Sequence, residues 1–167
     1  MAITACTSSS LKNDLLVFEE KENSEKKNLE VIKNFYHFLD RQDTVSFVAL
    51  LDRDFVSYFG SSDDPLNYAK LSWLIRDFYS AFPDYRHEVI NSFASGDYVA
   101  SLLSYTGTHL NTFMGMESSG KKISYKGIFI FKIKNGLIQE LHGLEDDLTM
   151  LTQIGFELKV SELDSGK

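Results

Sequence analysis

The strongest constraint on this chain is a change of hydrophobic period at Phe82-Pro83. Upstream, apolar residues recur every three to four positions, the spacing of one helix face. Downstream they alternate every second position, the spacing of one strand face. The residue before a proline is pushed out of the α region, so a helix stops there. A chain of 167 residues divided in this way has room for one domain, helices first and strands second.

In the helical half, Leu29, Ile32, Phe35, Tyr36 and Leu39 predict an amphipathic helix starting near Ser24. Val45, Val48, Ala49 and Leu51 predict a shorter one from Thr44 to Leu51, and Asp54 to Phe59 a short strand ending at Gly60. Asp64 before Pro65 predicts a capped third helix running to about Ala81, because proline loses nothing at the first helical position. Residues 1–24 are polar and lack sustained periodicity apart from Leu15-Leu16-Val17-Phe18, so they read as a flexible tail. The domain is expected over 25–160, with a polar C-terminal tail over 161–167.

Four strands are expected over 85–94, about 97–111, 121–133 and 137–146, with hairpin turns at Gly96-Asp97 and Asn135-Gly136. The longer connection between Leu110 and Lys121, rich in Gly, Met and Ser, is placed to lie over a pocket mouth. The pattern is α+β: a cone-shaped, curved antiparallel sheet closed by three N-terminal helices. Ile123, Tyr125, Gly127, Phe129, Phe131 and Ile133 take the concave face, while Ile128 and Ile130 interrupt a polar outer face and predict a homodimer contact. A last helix, Leu148 to Ile154, ends at Gly155 as its C-cap.

Composition excludes several functions. A net charge of −7 argues against nucleic acid or an anionic membrane as partner. The single cysteine, Cys6, forms no internal disulfide, and no apolar run approaches the length of a membrane span. A cytoplasmic location is expected. Ile3-Thr4-Ala5-Cys6 is similar to a bacterial lipoprotein cleavage box, but only Met1 and Ala2 precede it, too few for a signal. With 13 Phe and 8 Tyr against one Trp, the interior should be lined by rings.

His142, Leu144 and Asp146 share one face of an extended strand. If that face is concave, desolvation raises the pKa of Asp146 and suits it to act as a general base near neutral pH. The alternative is that Glu145, Asp146 and Asp147 form a solvated strand end capping the last helix. His109 ends a strand after Tyr105, Thr106, Gly107 and Thr108, and either polarises a carbonyl, shuttles a proton or serves structure alone; His142 has the same readings. No ligand spacing supports a metal at His109, His142 and Asp146, so none is expected. His37 and His87 read as structural. Tyr36, Tyr58, Trp73, Tyr105, Phe113, Met114, Met116, Tyr125, Phe129 and Leu144 are the pool for pocket walls, with Met114 and Met116 best placed to adapt to a ligand. No phosphate loop or nucleophile elbow is present.

Phe82-Pro83-Asp84, then Thr106-Gly107-Thr108-His109 with Phe113 and Gly115, then Ser119-Gly120-Lys121 leading to Gly127-Ile128-Phe129, then Asn135-Gly136 through Asp146 to Gln153-Ile154-Gly155 follow one another in a familiar order. This stretch resembles the SnoaL-like polyketide cyclases. They are a branch of the nuclear-transport-factor-2-like superfamily, which also holds ketosteroid isomerase and limonene epoxide hydrolase. The resemblance implies a cone fold without cofactor, an acid/base aspartate at Asp146 and an assisting histidine at His109. It implies removal of an α-proton from a small apolar, polyketide-like carbonyl compound, giving a cyclase or an isomerase. Members commonly carry Trp where this chain has His142. A non-catalytic binding domain for an apolar metabolite or a partner protein is the competing expectation. An epoxide hydrolase would need an Asp-Arg-Asp set, for which only Arg76, Arg86 and a few others are available.

Overall fold

Helices give way to strands at Pro83, as the period predicts. The structure is a computed structural model that describes residues 4–157. In chain order the elements are α1 (Thr4–Asp40), α2 (Thr44–Val48), β1 (Leu51–Phe59), β2 (Leu66–Asn67), α3 (Tyr68–Ala81), β3 (Arg86–Ser95), β4 (Tyr98–Thr108), β5 (Lys122–Lys134), β6 (Leu137–Glu145) and α4 (Asp147–Ile154). The expected tail over 161–167 lies outside the described residues, as do the first three residues of the cleavage-box reading.

The N-terminal segment read as a tail is helical, and α1 starts at Thr4 rather than near Ser24. No Gly or Pro interrupts it, and Lys21–Glu25 and Glu22–Lys26 pair along its face at 3.8 Å, worth about 0.2–0.5 kcal/mol each. Leu11, Leu15, Leu16, Val17 and Phe18 remain exposed on it. Packing on the body begins at Glu25 and Asn28. Glu25 accepts from the Gly96 N–H at 2.8 Å and Asn28 donates to the Gly96 carbonyl at 3.0 Å. Beyond them Ile32, Phe35 and Tyr36 are buried against the sheet.

The sheet has six strands in the order β2-β1-β6-β5-β4-β3, with β1 parallel to β6 and the other pairs antiparallel. It is therefore mixed, not purely antiparallel. The four expected strands are present within about three residues of their expected ends; β1 and β2 complete the sheet. Helix α2 stops at Val48 because Leu51 already pairs with Ile138. The chain after Pro65 first forms β2, so α3 starts at Tyr68 and its cap is Asn67, which accepts from the Lys70 N–H at 3.1 Å; Asp64 plays no such part. Among the described residues no helix is long and apolar enough to cross a membrane.

Along β5 burial alternates without a break, from Ile123 through Tyr125, Gly127, Phe129 and Phe131 to Ile133 on the concave side. On that side Phe131, Leu103, Val99 and Ile138 are almost fully buried, each worth about 1.5–3 kcal/mol as removed apolar surface. Strand β6 does not keep the same phase. Its hairpin starts with Lys134 opposite Leu137 and Ile133 opposite Ile138, but Lys132 lies opposite Glu140, so one extra residue is bulged on β6. A one-residue slip moves every later side chain to the other face. Leu141, Gly143 and Glu145 consequently turn inward, opposite Phe131, Phe129 and Gly127.

Candidate functional site

The bulge decides which acid enters the cone. Glu145 stands opposite Gly127, where a side chain would have no room: an added Cβ would lie 3.0 Å from Glu145 Cγ, from the Leu144 carbonyl oxygen and from Tyr105 Cε2. The missing side chain is the space that Glu145 and Tyr105 share. Desolvation first, and the charge of Asp147 second, push the Glu145 carboxyl up to about 7, while the nearby Tyr105 hydroxyl offsets part of that rise. Asp147 is also raised, by desolvation and then by Asp146.

A row of rings crosses the same concave face. The register sets His87 on β3 opposite Tyr105 on β4, and Tyr105 opposite Tyr125 on β5. Tyr105 and Tyr125 lie 4.8 Å apart between ring centroids, and the Tyr85 and Tyr125 hydroxyls are hydrogen-bonded at 2.6 Å. Burial raises the pKa of Tyr85, Tyr105 and Tyr125 alike, so all three hydroxyls keep their protons at neutral pH.

His87 is fixed from the helix side. Its Nδ1 is 2.6 Å from Asp40 Oδ1, and its own backbone N–H donates to both Asp40 oxygens at 3.2 and 3.3 Å. A carboxylate accepts, so Nδ1 carries a proton, and Nε2 is the ring nitrogen with no hydrogen-bond partner among the described residues. Tyr79 donates a long hydrogen bond, 3.5 Å, to the same Asp40 oxygen.

These groups line or underlie a cavity of about 340 Å³ whose walls are otherwise apolar, including Phe35, Leu71, Phe78 and Phe129, with Glu145, Asp147 and His87 among its lining residues. A volume of that size suits a small ligand. A second cavity of about 240 Å³ between α1, α2 and α3 shares Leu39, Ile75 and Tyr79 with it, and Arg76 is its one cationic lining residue.

Of the residues expected at the site, Phe113, Met114, Tyr125 and Phe129 line the cavity, so the connection after β4 does reach it. Tyr105 is buried beside Glu145 and does not line the cavity, and Tyr36 is buried next to His87 at 5.3 Å. Met116 packs against the core and bridges to Phe113 without lining the cavity. Trp73 is 60% exposed.

The His142-Leu144-Asp146 face is on the outside. His142 donates from Nε2 to the Glu140 carboxylate at 2.7 Å and stacks on Tyr58 with centroids 4.7 Å apart, and Leu144 is exposed as well. Asp146 is exposed and caps α4: its Oδ1 accepts from the Thr149 N–H at 3.1 Å and its Oδ2 from the Thr149 hydroxyl at 2.7 Å. The capping alternative describes Asp146; Asp147 is exposed as that alternative expects, although it also borders the cavity, whereas Glu145, expected in solvent, is half-buried and lines it. Asp146→Ala should lower stability by about 1 kcal/mol, the usual worth of an N-cap, read from the urea midpoint.

His109 is fully buried, yet away from the cavity lining. Its Nδ1 accepts from the Ser119 N–H at 3.2 Å and its ring stacks on Phe82 at 5.3 Å. Asp84 binds the Thr108 N–H and hydroxyl, each at 2.7 Å. The Phe82-Pro83-Asp84 and Thr108-His109 motifs thus tie the end of α3 to the end of β4. With His109 in the core and His142 and Asp146 outside, the three do not converge on a metal. Nor does any arginine line the larger cavity, as an epoxide-opening set would require.

Residues 30–154 match the family described as SnoaL-like polyketide cyclase, which is most of the chain. The chain belongs to the SnoaL-like polyketide cyclase family. This SnoaL-like chain superposes on AclR of Streptomyces galilaeus, assigned as a hydroxylase, at 23% identity and a TM-score of 0.74, covering 79% of this chain and 98% of that one. For IdmH of Streptomyces antibioticus, assigned as a polyketide cyclase, the values are 23%, 0.70, 77% and 99%. For a Bacillus cereus protein assigned as a polyketide cyclase they are 27%, 0.66, 77% and 80%. No curated protein sequence matches. His142 lies on the outer sheet face, outside the cavity lining.

Proposed function

We propose that this SnoaL-like protein is an acid–base enzyme that removes a proton next to the carbonyl of a small apolar, polyketide-like molecule, with Glu145 as the base. The observation that carries this is a carboxyl, Glu145, lining an otherwise apolar cavity, where desolvation pushes it up to about 7. At that value Glu145 is partly ionised at neutral pH and is a stronger base than an ordinary carboxylate. The tyrosine hydroxyls nearby are protonated donors for the oxygen of the resulting enolate. Intramolecular attack by that enolate gives cyclisation; return of the proton to another carbon gives isomerisation. Both steps use only side chains already in the cavity.

A substrate-independent test is deuterium exchange at the acidic C1 position of 2-tetralone, a bicyclic ketone of fitting size, followed by proton NMR. The protein should accelerate exchange well above buffer. Binding of 2-tetralone without acceleration would leave a binding domain in place of an enzyme.

The outer face supports self-association. Ile128 and Ile130 are 51% and 44% exposed, and Leu144 and Phe93 extend the patch to 62% and 61%. Ile128→Glu combined with Ile130→Glu should convert a dimer to a monomer in light scattering; a wild-type monomer at high concentration would remove this part of the proposal.

A further inference from the structure

The Asp40–His87 pair is a second proton-handling device in the same cavity, and nothing in the role of Glu145 accounts for it. Helix α1 ends at Asp40, and its carboxylate holds the imidazole through three contacts, to Nδ1 and twice to the backbone N–H. Such a clamp determines which ring nitrogen is free. The side chain of His87 is only 10% exposed and still lines the cavity. Tyr85, Tyr105 and Tyr36 pack around the ring with centroids 5.0, 5.4 and 5.3 Å away.

We propose that His87, as an imidazolium paired with the Asp40 carboxylate, donates its Nε2 proton to the substrate's carbonyl oxygen while Glu145 takes the carbon-bound proton, with Asp40 as the residue that positions the ring. The inference rests on Glu145 being the base. The proton balance closes: a C–H bond breaks and its proton goes to the Glu145 carboxylate, the carbonyl oxygen gains the Nε2 proton, and neutral imidazole remains bound to Asp40 through Nδ1–H. In an isomerisation both protons return, the oxygen's to Nε2 and Glu145's to a different carbon.

Tyr105 packs next to both devices: its ring is 5.4 Å from His87, and its hydroxyl offsets part of the rise of the Glu145 carboxyl. A flat carbonyl compound whose α-carbon faces Glu145 and whose oxygen faces His87 would engage both. The groups facing His87 are Asp40 and Tyr36 from α1, Tyr79 from α3, Tyr85, and Tyr105 from β4, with Glu145 and Asp147 farther across the sheet.

4-Nitrophenol mimics the planar enolate, and its absorbance separates bound phenol from bound phenolate. The wild-type protein should bind the phenolate, and His87→Gln should weaken that binding roughly 10- to 100-fold, the worth of a hydrogen bond to a charged group. Glu145→Gln should leave phenolate binding intact or tighten it while removing 2-tetralone exchange, which separates the two roles. Asp40→Asn should weaken phenolate binding and change the His87 ring ¹⁵N shifts from those of a doubly protonated ring to those of a neutral one; it keeps the test open if His87→Gln does not fold. Binding of neutral phenol alone by the wild type, absence of binding, or equal phenolate affinity in the wild type and both His87 and Asp40 variants would overturn the proposal.

Discussion

Glu145→Gln should slow 2-tetralone exchange by roughly 10²-fold or more, the scale of a general base, while the domain stays folded. Glutamine keeps the shape opposite Gly127 and removes only the ionisation. The same substitution has a signature in stability that needs no substrate. Folding raises the Glu145 pKa from 4.5 to about 7, so the folded state binds a proton more tightly than the unfolded one. Stability is then fully retained below about 4.5 and is lost as pH rises to about 7. Above that window the ionised, buried carboxylate costs on the order of 2–3 kcal/mol. Thermal denaturation should therefore show Glu145→Gln gaining on the wild type between pH 5 and 8, with little difference at pH 4. Parallel pH curves for the two proteins would mean that the Glu145 carboxyl is hydrated.

The second large effect is expected at Gly127. Gly127→Val adds a side chain whose first carbon already meets Glu145 Cγ, Tyr105 Cε2 and the Leu144 carbonyl oxygen at 3.0 Å. The two side chains can swing away, but the carbonyl is held in the ladder. Overpacking of this kind costs about 1–3 kcal/mol. It also displaces Glu145 from its place beside Tyr105, so exchange should fall about as far as in Glu145→Gln. The pH-dependent loss of stability should shrink with it. Wild-type exchange in a folded Gly127→Val protein would show that the Glu145 position is not what limits the reaction.

The cone was legible from particular residues: Pro83 ending the helices, Asn135-Gly136 closing a hairpin, and the odd positions of β5 from Ile123 to Ile133 lining the inside. The acid was not, because its face depends on a bulge. Continued in the register of its first two pairs, the hairpin would put His142 opposite Phe129 and Leu144 opposite Gly127, carrying Asp146 inward with them. The extra residue on β6 reverses that phase, and nothing in Leu137-Ile138-Gln139-Glu140 marks it as a bulge. The burial of Ile138 and then Leu141, three positions apart where strict alternation requires an even interval, is the trace it leaves. Asp40 and His87 were missed for another reason. They are 47 residues apart, on a helix end and a strand, and neither carries a local motif. The motif residues themselves proved structural: Asp84 binds Thr108, and His109 binds Ser119 and stacks on Phe82.

The wall shared by the two cavities consists of Leu39, Ile75 and Tyr79, and Tyr79 is tethered to the same Asp40 oxygen that holds His87. An occupant too long for the first chamber must turn Tyr79 aside and strip that oxygen of one of its donors. If Asp40 aims His87 as proposed, the length of a guest and the alignment of the imidazole are coupled, because both act on one carboxylate oxygen.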